Sequence, residues 1–453
     1  MDLADFRKRW LLPLLFFQVY LTATVVLFFW GPWPWEVRSP LTLAGYLLLS
    51  QVLIAIGYLA AWRQVAWSFD QQEDEHGGGD EGVRVLAWAL VASLLLLIPT
   101  SLSRTGSVLP DVLGALRDPG AAYNENQRRL SESNPFVLVE YVRMLLSPLL
   151  IGVLPLTVVY WRRLSTAVRM VCLGTILAGL SFYIATGTNK GLADFVVTLP
   201  WLIYVAAFSR HRKIHVNWWA VGAIATVLLA AFLQFFGAGQ ALREGGVGEF
   251  GVFETGDGKG WLFADDLHPV SQLLSDSNRI IFESLTRYLG QGYYALSMSL
   301  ELEGGQTLGL GHSMFLARNA DAVFGTDHFT TASIPAMLEE RTGWGVGALW
   351  HSIYPWLASD FTFLGALVVL AVFAWLLGLA WGRALLAKDP YWVVFLYLLI
   401  ILFFYIPANN QVFQTGESCM AFFLLAAILV YRTQRSRSEP ERARDLDLQR
   451  AHE

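Results

Sequence analysis

Residues 10–30 read WLLPLLFFQVYLTATVVLFFW, a run without a single charge that directly follows Arg7, Lys8 and Arg9. A bilayer core about 30 Å thick asks for roughly 17–25 apolar residues in a helix. Gly31-Pro32-Trp33 follows the run in place of a small-residue cleavage site, so it reads as an uncleaved first span and not as a signal peptide. Nine more runs of the same kind follow: Leu41–Trp62, Val83–Thr100, Met144–Trp161, Met170–Thr186, Gly191–Phe208, Trp218–Phe236, Phe361–Trp381, Tyr391–Ile406 and Val412–Tyr431. They predict an all-α, polytopic integral membrane protein with about ten transmembrane helices.

Composition agrees. The 453 residues are 55% hydrophobic and 14% aromatic but only 15% charged, against about 25% charged in soluble domains. The 18 Trp, 16 Tyr and 29 Phe suit a chain with rings at membrane interfaces. Such hydrophobicity excludes a disordered chain, and two cysteines exclude a secreted disulfide scaffold. Both, Cys172 and Cys419, fall in predicted spans.

Ten spans put both ends on one side. Basic residues crowd the short turns of that side: Arg7, Lys8 and Arg9, then Arg63 and Arg84, Arg162, Arg163 and Arg169, Arg210, Arg212 and Lys213, Arg383 and Lys388, and the tail. By the positive-inside rule both termini of this multi-pass protein are expected in the cytoplasm. The acidic run Asp70, Glu73, Asp74, Glu75, Asp80 and Glu81, set around Gly77-Gly78-Gly79, reads as a solvated cytoplasmic loop. The expected organisation is helices 1–7 over 1–236 with an outward loop at 101–143, a long outward loop at 237–360, helices 8–10 over 361–431 and a tail at 432–453. The glycine-rich start of the long loop, 237–260, reads as mobile. Trp344–Leu357 is too short to span and is expected to form an interfacial or re-entrant helix. No 20–50-residue repeat or inverted pair of broken helices is evident.

The chemistry-bearing residues gather in the outward loops. Over Asp276–Leu300 an amphipathic helix is expected, with Arg279, Glu283, Arg287 and Gln291 four residues apart on one face. Two readings are open. The stripe is a surface ladder in which Glu283 neutralises both arginines, or it faces a cavity where guanidinium forks grip a phosphate-bearing ligand. Arg318 and Arg341 lie in the same loop. His351, with Asp360 nine residues on, is a candidate base or an interfacial aromatic-belt histidine. His312 is a weaker candidate of the same kind. Asp265-Asp266-Leu267-His268 and Asp327-His328 offer incomplete metal ligand sets, so no metal and no other cofactor is assigned. Asp194, Glu417 and the Glu140/Arg143 pair put charge in or beside spans, where it is costly and usually paired or functional. Gly256-Asp257-Gly258-Lys259-Gly260 lacks the residues of a Walker loop.

The stretch around His351 resembles the bacterial lipid-linked oligosaccharide polymerases of the O-antigen type and the related O-antigen ligases. The ligase signature runs His, then Asn/Ser/Gln, nine residues, Gly, two residues and Gly/Thr/Tyr. Here His351, Ser352 and Gly365 match, with Thr362 where the first Gly is expected. Tyr354, Asp360, Phe361 and Gly365 are similar to the polymerase pattern of Tyr followed by Asp-Phe-x-x-x-Gly. Thr186-Gly187-Thr188-Asn189-Lys190-Gly191 resembles the group's Gly-Ser-Arg-Gly turn, with Lys190 for the arginine.

The resemblance implies a metal-independent, GT-C-like membrane glycosyltransferase that joins undecaprenyl-diphosphate-linked repeat units of a surface polysaccharide on the periplasmic face of the inner membrane. Metal-using membrane glycosyltransferases carry paired acidic residues in their first outward loop, where this chain has only Glu36. Implied partners are the lipid-linked oligosaccharide and membrane lipid, with a chain-length regulator as a further candidate and no nucleic acid. His351 and Asp360 become the expected catalytic pair, and Arg279, Arg287, Arg341, Arg104, Lys190 and His312 the expected substrate-binding residues. A ligase moving finished polymer to an acceptor lipid is the nearest rival. A flippase or other transporter is the alternative from another class, but transport calls for charge along the bundle interior.

Overall fold

Each of the ten apolar runs is helical over most of its length. The structure, a computed structural model, describes residues 2–71, 78–131, 135–208, 218–243, 252–255, 260–304 and 307–452. Glu73, Asp74 and Glu75, the Arg210/Arg212/Lys213 turn, Lys259 and much of the glycine-rich 237–260 stretch lie outside the described residues. The protein is an all-α, multi-pass membrane protein whose described strands form one short antiparallel hairpin. In it Val252–Thr255 pairs with Gly260–Phe263, Val252 opposite Phe263.

Six described helices are long and apolar enough to cross a bilayer: Leu3–Trp30, Pro40–Asp70, Thr166–Ala185, Lys190–Ala207, Ile353–Leu386 and Gly416–Arg435. Two bent pairs raise the number to as many as eight. Gly79–Leu95 meets Leu97–Thr105 at 50°, and Val137–Leu145 meets Ser147–Arg163 at 60°. Both bends have a proline cause. A proline ring clashes with the carbonyl four residues back, so Pro99 opens the ladder at Leu95 and Pro148 opens it at Met144.

Pro390–Tyr405 is apolar but has only 16 residues, about 24 Å of helix. It is buried on all sides, from Val393 to Tyr405, as a helix apolar all round should be. Protein, more than lipid, surrounds it. The 34-residue helix Ile353–Leu386 packs on it and on Pro40–Ala60. That second contact is close because Gly57 faces the Ala371 carbonyl, 2.1 Å from where a Cβ would stand. Small residues let membrane helices approach this way. Outward, Leu48, Val52, Ile56, Leu364, Val368 and Val372 are exposed, a face suited to lipid.

Trp344–Leu357 forms no helix of its own. Residues 344–352 are irregular, and residues 353–357 are the buried first turns of the Ile353–Leu386 helix. This helix breaks at Thr362, with φ 60° and ψ 169°, a region almost reserved for glycine. Thr362 also caps the restart, its Oγ1 accepting from the Gly365 N–H at 3.4 Å.

Such strain costs on the order of 1–3 kcal/mol, whereas glycine at a helix cap costs only tenths. Thr362→Gly is therefore expected to raise the thermal midpoint of the detergent-solubilised protein. Thr362→Val keeps the β-branch and loses the cap, and should lower it.

Candidate functional site

The turn at 186–190 is held from two sides. Gly187 has φ +60°, and a Cβ on it would lie 2.5 Å from the Pro119 carbonyl oxygen and 2.6 Å from the Tyr123 nitrogen. Only glycine lets the turn press onto the helix Pro119–Ser131. Gly191 leaves room for the Tyr183 ring. Lys190 then opens the helix Lys190–Ala207, and its Nζ donates to Asp194 Oδ2 at 2.8 Å. Asp194 is buried, so an intramembrane carboxylate meets its cation one turn away.

A larger ionic network stands beside this turn. Arg104, near the end of Leu97–Thr105, donates through Nη2 to Glu417 Oε2 at 2.8 Å and lies 3.7 Å from Glu140 Oε2. Arg143 donates from Nη2 to the same Glu417 oxygen at 2.7 Å and from Nη1 to Thr100 Oγ1 at 2.7 Å. Ser103 Oγ donates to Glu140 Oε1 at 2.6 Å. Each arginine sits on one arm of a proline-bent pair, so the bends carry both guanidinium groups to Glu417, beside the start of the last helix.

Three cavities converge on this region. A polar one of about 630 Å³ is lined by Arg104, Arg128, Arg129, Glu140, Tyr183 and Thr188, among others. A narrow one of about 190 Å³ reaches Arg143, Asp194, Tyr397 and Glu417. An apolar one of about 470 Å³ has Val197, Phe232, Leu285 and Phe404 in its walls and Asn189, Lys190 and Gln411 at its polar edge. Thr188 lines both the polar and the apolar cavity. Arg128 and Arg129 are steered by Glu125, each donating to its carboxylate at 2.8 Å.

The other expected substrate-binding arginines are elsewhere. Arg279 donates to Glu283 at 2.7 Å and also bonds Asp266. Arg287 is buried, with its guanidinium carbon 5.9 Å from the Trp33 ring centre and Nη2 donating to Gln240 Oε1 at 3.3 Å. The stripe on Asp276–Ser299 is thus an internal packing face, Glu283 being 1% and Gln291 3% exposed. It is neither a surface ladder nor a wall of these three cavities. Arg341 and Arg318 are exposed. His268 reaches the Trp30 carbonyl, and the described residues hold no group of three or more potential metal ligands.

Asp360 does not orient His351. Its buried carboxylate accepts from Thr307 Oγ1, from the backbone N–H of Gly309 and Gly311 at 3.0 Å, and from His312. His312 donates its backbone N–H and contacts Asp360 Oδ2 through Nδ1, both at 2.8 Å. His351 is 1% exposed, and no side chain hydrogen-bonds either ring nitrogen. Burial holds its imidazole far below the ordinary 6.5, at about 3, with the Gly345 backbone exerting a smaller opposite pull. Neither His351 nor Asp360 lines the three cavities, although Trp350 lines the apolar one.

The sequence singled out Glu417, Asp194 and the Glu140/Arg143 pair as costly charges without giving their partners. It placed Arg128 and Arg129 in the outward 101–143 loop without giving either a role, their local signal being the pairing with Glu125 three and four residues back. Comparison with protein-family models, with curated proteins and with solved structures returns no match.

The depressed His351 value has a pH consequence. Below about pH 6.5 the unfolded chain binds a proton that the folded chain refuses until about pH 3, so stability falls as pH drops through that window. Between pH 7 and 5 His351 should account for roughly 2 kcal/mol of lost stability. Thermal melts of His351→Phe at the two pH values should show a smaller difference than the wild type. An equal difference would mean that His351 is protonated, or solvated, in the fold.

Proposed function

We propose that this chain is a bacterial inner-membrane glycosyltransferase that joins polyprenyl-diphosphate-linked oligosaccharide units into a surface polysaccharide. One observation supports it most. At the 186–190 turn an apolar cavity meets a polar, arginine-lined one, the shape an amphiphile with a lipid tail, a diphosphate and a glycan would fill. In this reading the prenyl chain enters along Val197, Phe232 and Phe404, and the glycan occupies the polar cavity. Lys190 and Arg104 hold the diphosphate between them.

The reaction needs no redox partner. A sugar hydroxyl oxygen on one unit attacks the anomeric carbon of another, and the bond from that carbon to the diphosphate oxygen breaks. The bonding pair leaves with the polyprenyl diphosphate, and the hydroxyl proton passes to a base or to water. Fixed cations meeting the charge that grows on the leaving group would supply most of the acceleration. Among the described residues, Glu140 is the carboxylate that lines the polar cavity and the nearest candidate to position the attacking hydroxyl. The reading places all ten apolar helices across the bilayer, both termini in the cytoplasm and the cavities toward the periplasm, consistent with basic residues in the short turns.

A ligase acting on finished polymer is favoured by one feature. Thr362 holds a glycine-type φ of 60° at the position where the ligase signature has its first glycine.

Deletion of the protein followed by gel analysis of the surface glycan separates the readings. Loss of a polymerase leaves glycolipid capped with one unit, loss of a ligase leaves long polymer on its carrier, and loss of a flippase removes both. Within the polymerase reading, Lys190→Ala should cut polymer formation about 100-fold, the size of a lost transition-state contact, and Lys190→Arg should restore much of it. Val197→Trp, which fills the apolar cavity, should weaken use of the lipid-linked donor. An unchanged polymer ladder in Lys190→Ala would remove the 186–190 junction as the site.

A further inference from the structure

The helices Leu12–Trp30 and Pro40–Ala60 pack side by side, and a polar seam crosses between them midway along. Gln18 Nε2 donates to the Gln51 carbonyl at 3.0 Å, and Thr22 Oγ1 donates to Gln51 Oε1 at 3.0 Å. Thr22 stands about 15 Å of helix from Leu12 and about 12 Å from Trp30, and Gln51 about 17 Å from Pro40 and about 14 Å from Ala60. The seam therefore sits near the middle of the bilayer. It is also at the surface of the bundle. Thr22 and Ala23 are exposed together with Leu15, Val19 and Val26, and Gln18 and Gln51 are half-buried. Gln18, Val19, Thr22, Ala23, Val26 and Leu27 line an open hollow of about 660 Å³ there.

Among the described residues, Gln18 Oε1 and Gln51 Nε2 have no hydrogen-bond partner. Hydrocarbon supplies none, and a phospholipid keeps its polar groups at the interface, about 15 Å from mid-bilayer. Amide ends at this depth are satisfied by another helix. One of the two is an acceptor and the other a donor, so the face is complementary to itself. A two-fold axis along the membrane normal keeps every residue at its own depth, and Gln18 and Gln51 share a depth because they touch. We propose that this face joins two copies of the chain about such an axis. Gln18 Oε1 accepts from Gln51 Nε2 of the partner subunit, and the symmetry makes the bond twice. Thr22 and Ala23, small residues beside the seam, let the paired helices come close. None of these residues lines the three cavities at the 186–190 turn, so the pairing does not depend on the proposed reaction.

Single-molecule subunit counting of the full chain in liposomes, at rising protein-to-lipid ratio, tests it. The wild type should pass from one to two subunits within the range. Gln18→Leu/Gln51→Leu should need about ten-fold more protein per lipid for the same dimer fraction, the scale of two symmetric interhelical hydrogen bonds lost. Val26→Trp fills the hollow and leaves both glutamines in place, and it should weaken pairing as well. Val26 is exposed, so this variant separates a lost contact from a damaged monomer. In native membranes Val19→Cys should crosslink under copper phenanthroline to a species of twice the chain mass, the natural cysteines Cys172 and Cys419 being buried. Leu177→Cys, exposed on Thr166–Ala185, should not. The proposal is overturned if the wild type stays monomeric over the whole range, or if either the glutamine variant or Val26→Trp pairs as tightly as the wild type. It also fails if Val19→Cys crosslinks only to other proteins, or no more than Leu177→Cys does.

Discussion

The buried carboxylate of Asp360 determines how the long loop before it can lie. A bare carboxylate taken out of water costs many kcal/mol unless donors surround it, and here a single short stretch supplies them all. Thr307, Gly309, Gly311 and His312 turn their donors onto its two oxygens. Loop residues Leu308 and Gly309 take positive φ to do so. The loop is thereby fastened to the Ile353–Leu386 helix two residues before its break at Thr362. Asn410 Nδ2 donates to the His312 carbonyl at 2.6 Å, which carries the same clamp on to the segment leading into the last helix. Three pieces of chain are set by one charge.

The same rule shapes the cavity region. Glu417 serves two arginines from two different bent helices, and breaking such a buried arrangement by removing one member leaves charge stranded. Proline supplies the bends at Pro99 and Pro148, and the ion pairs fix where the bent arms go. Bent helices open spaces that straight ones would fill, and the three cavities lie between these arms and the 186–190 turn. Sequence patterning explains the helices, and pairing of charge explains the gaps between them.

That division accounts for what could be read from the sequence. The apolar runs were legible because a membrane helix announces itself by length and composition alone, and each is helical here. Their number as spans was not. Among the described residues, length and composition alone give six candidate crossings, or eight with the two bent pairs, because proline divides two runs, protein encloses a short one, and the apolar part of a fourth, Thr226–Gln240, is also shorter than a span. Asp194 was recognisable as a charge needing a partner, and Lys190 is four residues away. Glu417 was equally recognisable, but its arginines lie 313 and 274 positions back, beyond the reach of any local pattern. The periodic Arg279/Glu283/Arg287/Gln291 stripe misled for the opposite reason. Polar periodicity marks a helix face and leaves open whether water, ligand or protein meets it. Protein does, through Trp33 and Gln240. Asp360 with His351 was a pairing by proximity in sequence, while the fold gives Asp360 to His312, 48 residues away.

Fixed ion pairs beside a proposed anion site carry an apparent contradiction, since a cation already neutralised should attract a diphosphate less. Arg104 resolves it by geometry. Among the described residues, Arg104 meets Glu417 and Glu140 through Nη2 alone, so the carboxylates orient the planar fork while Nε and Nη1 keep donors for a ligand. Lys190 has three donors and gives one to Asp194. Held this way, the cations need little reorganisation when charge develops nearby, and preorganised donors are worth more than mobile ones in a site shielded from water. The neutralising carboxylates also let the chain place these groups beside the bilayer without net charge to solvate. In the proposed reading, the pairing that makes the site tolerable in a membrane is also what aims it.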